Sequence, residues 1–235
     1  MTPYAELRER VVAANVEIVR AGLVVLTFGN ASAADREAGV IAIKPSGVPS
    51  ERLGPETIPV LDLATGAVVA GAHRPSSDTP THLALYRAFD GIGGIVHTHS
   101  PFATAWAQAR REIPCLGTTH ADHFRGTIPV TRLLSADEIA AGYEEQTGAV
   151  IVETFAELGL DPLAMPAVLV ASHGPFAWGA DATGAVENAV ALELVAASAY
   201  RALLIRSETG SIQDELLEKH FDRKHGAAAY YGQPR

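Results

Sequence analysis

The hydrophobic period of this chain switches repeatedly between that of a helix and that of a strand, and the order of the switches limits the folds open to it. Leu7, Val11, Ala14 and Ile18 recur at helical spacing with Gly22 placed as a C-terminal cap, so an amphipathic helix opens the chain. Val40 to Lys44 then reads as a strand, and Ile58–Leu63 with Ala67–Gly71 as a hairpin turning at Thr65-Gly66. Thr81–Phe89 predicts a helix, Gly94–His99 a strand and Pro101–Arg110 a helix. Ser135 and Glu138 form a capping box for a further helical region. Ala167–Gly174 and Pro175–Gly179 read as strands, Thr183–Arg206 as a long alanine-rich helix and Ile212–Lys224 as a charged helical tail. Strands and helices alternate without a regular βαβ rhythm, which favours a mixed, largely antiparallel sheet covered by helices.

Nothing in the 235 residues marks a linker, repeat or low-complexity tract, so residues 1–235 are expected to form a single domain. The apolar runs fall short of the ~20 residues of a membrane span. The first segment carries charge throughout and lacks the apolar core and cleavage site of a secretory signal, so a cytoplasmic location is expected. A lone cysteine, Cys115, makes no internal disulfide and reads as a small buried apolar residue. A net charge of −9 speaks against general nucleic-acid binding, which needs clustered cations. With only three lysines (Lys44, Lys219 and Lys224), an anionic ligand must be held locally, and Lys44 is the only lysine before residue 219.

The segment "GGIVHTHS" ends an apolar run in two histidines one residue apart. On a strand, His97 and His99 project from the same face about 7 Å apart along the chain. His-x-His alone is a weak metal signal, but His173 closes the apolar run "VLVASHG", and strand ends are where sites assemble. Three neutral imidazoles suit zinc and leave a position for a carboxylate, water or substrate. Asp78 in "RPSSDTPTH" is the fourth ligand candidate, although an Asp there could equally cap the helix that follows. Ser76 and Ser77 beside that helix start, Lys44, Ser46 and Gly47 in "IKPSGV", and Gly29 and Asn30 in "TFGNAS" each make a loop able to bind an anion or to serve as an ordinary turn.

The motifs "LTFGNAS", "IKPSGV", "RPSSDTPTH", "GGIVHTHS", "GTTHADHFRGTIP", "SHGPFAWG" and "KHGAAAYYGQ" resemble, in order and from about Leu7 to Gln233, the L-ribulose-5-phosphate 4-epimerases of the class II aldolase/epimerase superfamily. The resemblance implies a three-layer α/β/α fold with a mainly antiparallel sheet, assembled as a homotetramer with sites between subunits. It implies Zn2+ bound by Asp78, His97, His99 and His173, and phosphate bound around Asn30, Lys44, Ser46, Gly47, Ser76 and Ser77. Asp122 and Tyr231 would be the acid/base residues, reaching the metal from an adjacent chain. Read alone, Asp122 could be a turn residue or a partner of His120, and Tyr231 a surface residue. His120, His123, His220 and His225 receive no role. Two departures stand out: Phe28 where relatives usually have Trp, and Pro234-Arg235 beyond the usual ending at Gln.

The implied reaction interconverts L-ribulose 5-phosphate and D-xylulose 5-phosphate. C4 bears no acidic hydrogen, but the C3–C4 bond is that of an aldol, so cleavage, rotation of the aldehyde and re-addition invert it. Zinc fits that path as a Lewis acid, with one residue taking the C4 hydroxyl proton and another returning it. The alternatives are a class II sugar-phosphate aldolase of fuculose-phosphate type, in which Glu typically stands at the position of Asp78, and a non-catalytic adducin-head-like interaction module, against which the three histidines argue.

Overall fold

The computed structural model describes residues 4–232, so Gln233 and the Pro234-Arg235 extension lie outside the described residues. Its centre is a seven-stranded sheet of β1 (Gly29–Asp35), β2 (Val40–Ile43), β3 (Val60–Asp62), β4 (Val68–Ala70), β5 (Gly94–Thr98), β6 (Ala167–Leu169) and β7 (Pro175–Gly179). The order is β4-β3-β2-β1-β5-β7-β6 and every strand pairing is antiparallel, with one isolated parallel bridge, Val130 to Leu169. The expected antiparallel sheet with helices on both sides is therefore what the chain adopts.

One face is covered by α1 (Ala5–Arg20), α3 (Pro101–Ala109) and α6 (Ala182–Ile205). Leu7, Val11, Ala14 and Ile18 are the buried stripe of α1, as their spacing predicts, and Gly22 follows its C-cap at φ 75°. α6 has the length and composition to cross a membrane, but it packs on β5 and β7 and buries Ala185, Val186, Leu192 and Val195 in the core. The other face is covered by α2 (Thr79–Ala88) and α5 (Ala136–Leu158), where Phe89 and Phe155 meet Trp178 of β7 at ring separations of 5.2 Å. The Ser135–Glu138 capping box forms in both directions. α4 (Thr118–Ala121) and α7 (Asp214–His225) pack together beside α6.

The central strand β1 is one that the sequence analysis reads as a loop. "GNASAAD" has neither the alternation nor the β-branched residues of a strand, because six of its seven residues are buried and small side chains are needed beneath helices on both faces. Asn15 of α1 compensates where β2 has ended: its Oδ1 accepts the Ala31 N–H at 2.9 Å and its Nδ2 donates to the Ala31 carbonyl at 3.0 Å. On the opposite face the Ser32 hydroxyl is within 2.7 Å of His82 Nδ1 and 2.9 Å of the Tyr86 hydroxyl, tying α2 to the sheet.

Candidate metal and phosphate site

Register brings the site together at one end of the sheet. Asn30 of β1 pairs with His97 of β5, which pairs with Phe176 of β7, so the three lie abreast under the N-terminus of α2. His97 and His99 share a face as the strand period requires, and their Nε2 atoms are 3.2 Å apart. His173 is not on a strand as expected. β6 ends at Leu169, and residues 170–173 form a tight turn into β7, with Ser172 at φ 61° and the His173 N–H donating to the Val170 carbonyl. That turn carries the His173 ring to 4.7 Å from His97 and 5.1 Å from His99. One nitrogen from each of the three then lies within 4.8 Å of the others.

These imidazoles suit a cation. His97 stacks on Phe176 at 4.2 Å and donates from Nδ1 to the Pro175 carbonyl at 2.9 Å, which leaves the Nε2 lone pair facing His99. Burial, reinforced by neighbouring His173, holds the His97 pKa well below that of a free imidazole. Burial lowers His99 and His173 as well, against the opposing pull of Asp78. Three neutral nitrogen donors converging at this spacing are the chemistry of a divalent-metal site. Asp78 occupies the N-cap position of α2, yet its side chain makes no cap. It instead accepts from Asn30 Nδ2 at 2.6 Å and lines the same cavity as the histidines, outside the 4.8 Å group.

The cavity is about 360 Å³ and is lined by Thr27, Phe28, Gly29 and Asn30 at the start of β1, by Lys44 to Gly47, by Ser76 to Asp78, and by the three histidines. Gly29 has φ 138°, and a Cβ there would lie 2.9 Å from the His97 carbonyl oxygen, so only glycine lets β1 pass this close to β5. Phe28 stands at the cavity edge, 6.3 Å from the His99 ring and largely exposed. Lys44 is only 4% exposed, its pKa is lowered by burial, and no carboxylate pairs with it among the described residues. Lys44 lines the cavity together with Ser46, Gly47, Ser76 and Ser77, a set whose charge and polar groups suit an anion.

Asp122 and Tyr231 do not line this cavity; they lie by α4 and α7. There the Arg223 fork grips the Asp122 carboxylate at 2.8 and 2.6 Å and His220 Nδ1 lies at 3.1 Å. Burial alone would raise the Asp122 pKa, but these partners outweigh it and hold the carboxyl below its usual value. The Arg223 guanidinium also covers the Tyr231 ring at 4.8 Å, while its backbone carbonyl accepts the Tyr230 and Tyr231 N–H groups. His225 and His123 belong to the same cluster, the first contacting the Asp122 carbonyl at 2.9 Å and the second Lys224 at 3.3 Å. His120 faces the Gly126 carbonyl at 2.7 Å. Sequence reasoning missed Arg223 altogether, and it missed Tyr143, whose hydroxyl is 3.1 Å from His173 Nδ1. The one available signal was Gly142, an isolated glycine within a helical pattern.

The chain belongs to the class II aldolase and adducin N-terminal domain family, whose model matches residues 9–200. Over 228 residues it is 54% identical to a protein named L-ribulose-5-phosphate 4-epimerase UlaF in Salmonella paratyphi C, covering 97% of this chain and 99% of that one. The protein of the same name in Salmonella typhi matches to the same extent. Among solved structures it is similar to an L-fuculose 1-phosphate aldolase, with a TM-score of 0.78 and 26% identity over 93% of this chain and 96% of the other. The fold is also that of an L-fuculose-1-phosphate aldolase from Thermus thermophilus, with a TM-score of 0.66 and 23% identity over 88% of this chain and 100% of the other.

Proposed function

We propose that this chain is a zinc-dependent epimerase that interconverts L-ribulose 5-phosphate and D-xylulose 5-phosphate by breaking and remaking the C3–C4 bond. The observation that carries the proposal is a single cavity in which three neutral imidazoles stand beside a buried lysine that has no carboxylate partner among the described residues. Near-full-length identity of 54% to proteins named as 4-epimerases supports this substrate over others.

A divalent ion held by His97, His99 and His173, with Asp78 as a further ligand, would supply Lewis acidity to the oxygen on which charge develops. The protein's own groups do the rest. Lys44, Ser46, Gly47, Ser76 and Ser77 bind the phosphate through a charge, hydroxyls and backbone N–H groups. Asn30 donates to Asp78 and keeps a buried Oδ1, without a partner among the described residues, for a ligand hydroxyl. One acid/base residue takes the C4 hydroxyl proton as the C3–C4 pair moves toward the C2 carbonyl, and a second returns a proton after the aldehyde has presented its other face. Phosphate contacts hold the aldehyde fragment during that turn.

Asp122 and Tyr231 are assigned those two roles, delivered by a neighbouring copy in a cytoplasmic homotetramer. Their distance from the cavity of their own chain supports a shared site, as does an exposed apolar strip on α6: Leu194 is 54%, Leu204 68% and Ile205 88% exposed. The runner-up is an aldolase that releases both fragments, favoured by the likeness to the L-fuculose 1-phosphate aldolase structure. Incubating the zinc-loaded protein with L-ribulose 5-phosphate separates the two. The epimerase yields D-xylulose 5-phosphate with little free glycolaldehyde phosphate; stoichiometric release of the aldehyde would establish the aldolase, and no turnover would remove both.

A further inference from the structure

We infer that Tyr143 is a positioning residue of the metal site: its hydroxyl oxygen accepts the Nδ1–H of His173 and thereby keeps the His173 Nε2 lone pair turned toward His97 and His99. The inference rests on reading the three histidines as metal ligands. The hydroxyl lies 3.1 Å from Nδ1, with the two rings 5.8 Å apart. A neutral imidazole carries one N–H. If the tyrosine accepts from Nδ1, Nε2 is a ligand; if it donated to Nδ1, the proton would sit on Nε2 and block it. The Pro175 carbonyl at 2.9 Å already sets His97 in this way, so two of the three rings are oriented by the same device.

The tyrosine is delivered by a break in α5. Gly142 has φ 157° and ψ 88°, and the helix resumes directly after it. A Cβ at 142 would meet nothing closer than 3.8 Å, so glycine is there for its backbone conformation and not for want of room. The restarted segment is fixed twice: the Thr147 hydroxyl donates to the Tyr143 carbonyl at 2.8 Å, and the Thr81 hydroxyl of α2 donates to the Glu144 carbonyl.

Zinc affinity measured by competition with a chromophoric chelator tests the inference in wild type, Tyr143→Phe and His99→Ala. Tyr143→Phe should bind zinc about 10–100-fold more weakly, with metal-free thermal unfolding matching wild type. In zinc-loaded protein the His173 Nδ1–H resonance, protected from exchange in wild type, should be lost in Tyr143→Phe while that of His97 persists. Wild-type affinity together with an unchanged His173 resonance would overturn the role of Tyr143 and leave the metal site standing. Wild type binding zinc no better than His99→Ala would instead remove the metal reading, and this inference with it.

Discussion

The Nε2 atoms of His97 and His99 face each other at 3.2 Å, each in a ring whose burial disfavours a proton. Without a metal, one of these nitrogens can carry the proton of a neutral ring and donate to the other; a divalent ion would take both lone pairs in place of that single N–H···N bond, so it should stabilise the fold as well as serve the chemistry. At one hundred times its Kd, zinc adds about 2.7 kcal/mol, or roughly 5–10 °C in melting temperature for a chain of this size. Calorimetry with and without chelator should show that shift in wild type and none in His97→Asn. Equal shifts in both proteins would place the ion elsewhere.

Lys44 is buried without a counter-ion among the described residues, so its charge is retained at a cost that a bound anion would offset. Lys44→Met should leave the free protein as stable as wild type or more so, while lowering kcat/KM by about 10–100-fold through the loss of on the order of 1.5–3 kcal/mol of charge-assisted binding. Ser46→Ala and Ser77→Ala should act in the same direction and leak more glycolaldehyde phosphate than wild type. Kinetics unchanged across all three variants would return these residues to turn and packing roles.

His120 titrates at about 4 in the fold, lowered first by burial and further by His123, against a free value of 6.5. Below pH 6.5 the unfolded chain takes up a proton that the folded chain refuses until about pH 4, so stability is present above that window and is lost as pH falls through it. Between about pH 7 and about pH 5 this group accounts for on the order of 1–2 kcal/mol. Urea unfolding of His120→Gln, at one protein concentration, should show a correspondingly flatter decline over that range. A decline as steep as wild type would mean that the imidazole is protonated in the fold.

Much of the fold was legible because its elements carry their own signals: the stripe of α1, the capping box at Ser135 and the Thr65-Gly66 turn are local chemistry. β1 was not, since the burial of "GNASAAD" comes from helices distant in sequence and its Ala31 N–H is satisfied by a side chain, Asn15, while the Ala31 carbonyl is shared by Asn15 and the Lys44 N–H. At the site, His-x-His periodicity gave the shared face of His97 and His99, but the approach of His173 depends on a turn whose left-handed residue is Ser172, not a glycine. Asp78 at a helix start looked like a cap, and Asn30 on β1, 48 residues earlier in the chain, redirects it. The Arg223 grip on Asp122 spans 101 residues of sequence, beyond the reach of any local pattern.

A site built from two copies of the chain, with the histidines from one and Asp122 from another, is the central claim. His97→Asn and Asp122→Asn should each be nearly inactive alone. In hybrids formed by equal random mixing within a closed ring, about one site in four keeps both residues intact. Mixed oligomers, verified by native mass spectrometry, should therefore recover roughly a quarter of wild-type activity by the same count. If His97 and Asp122 serve one site from a single chain, every site retains a defect, and verified hybrids that stay inactive would contradict the shared site.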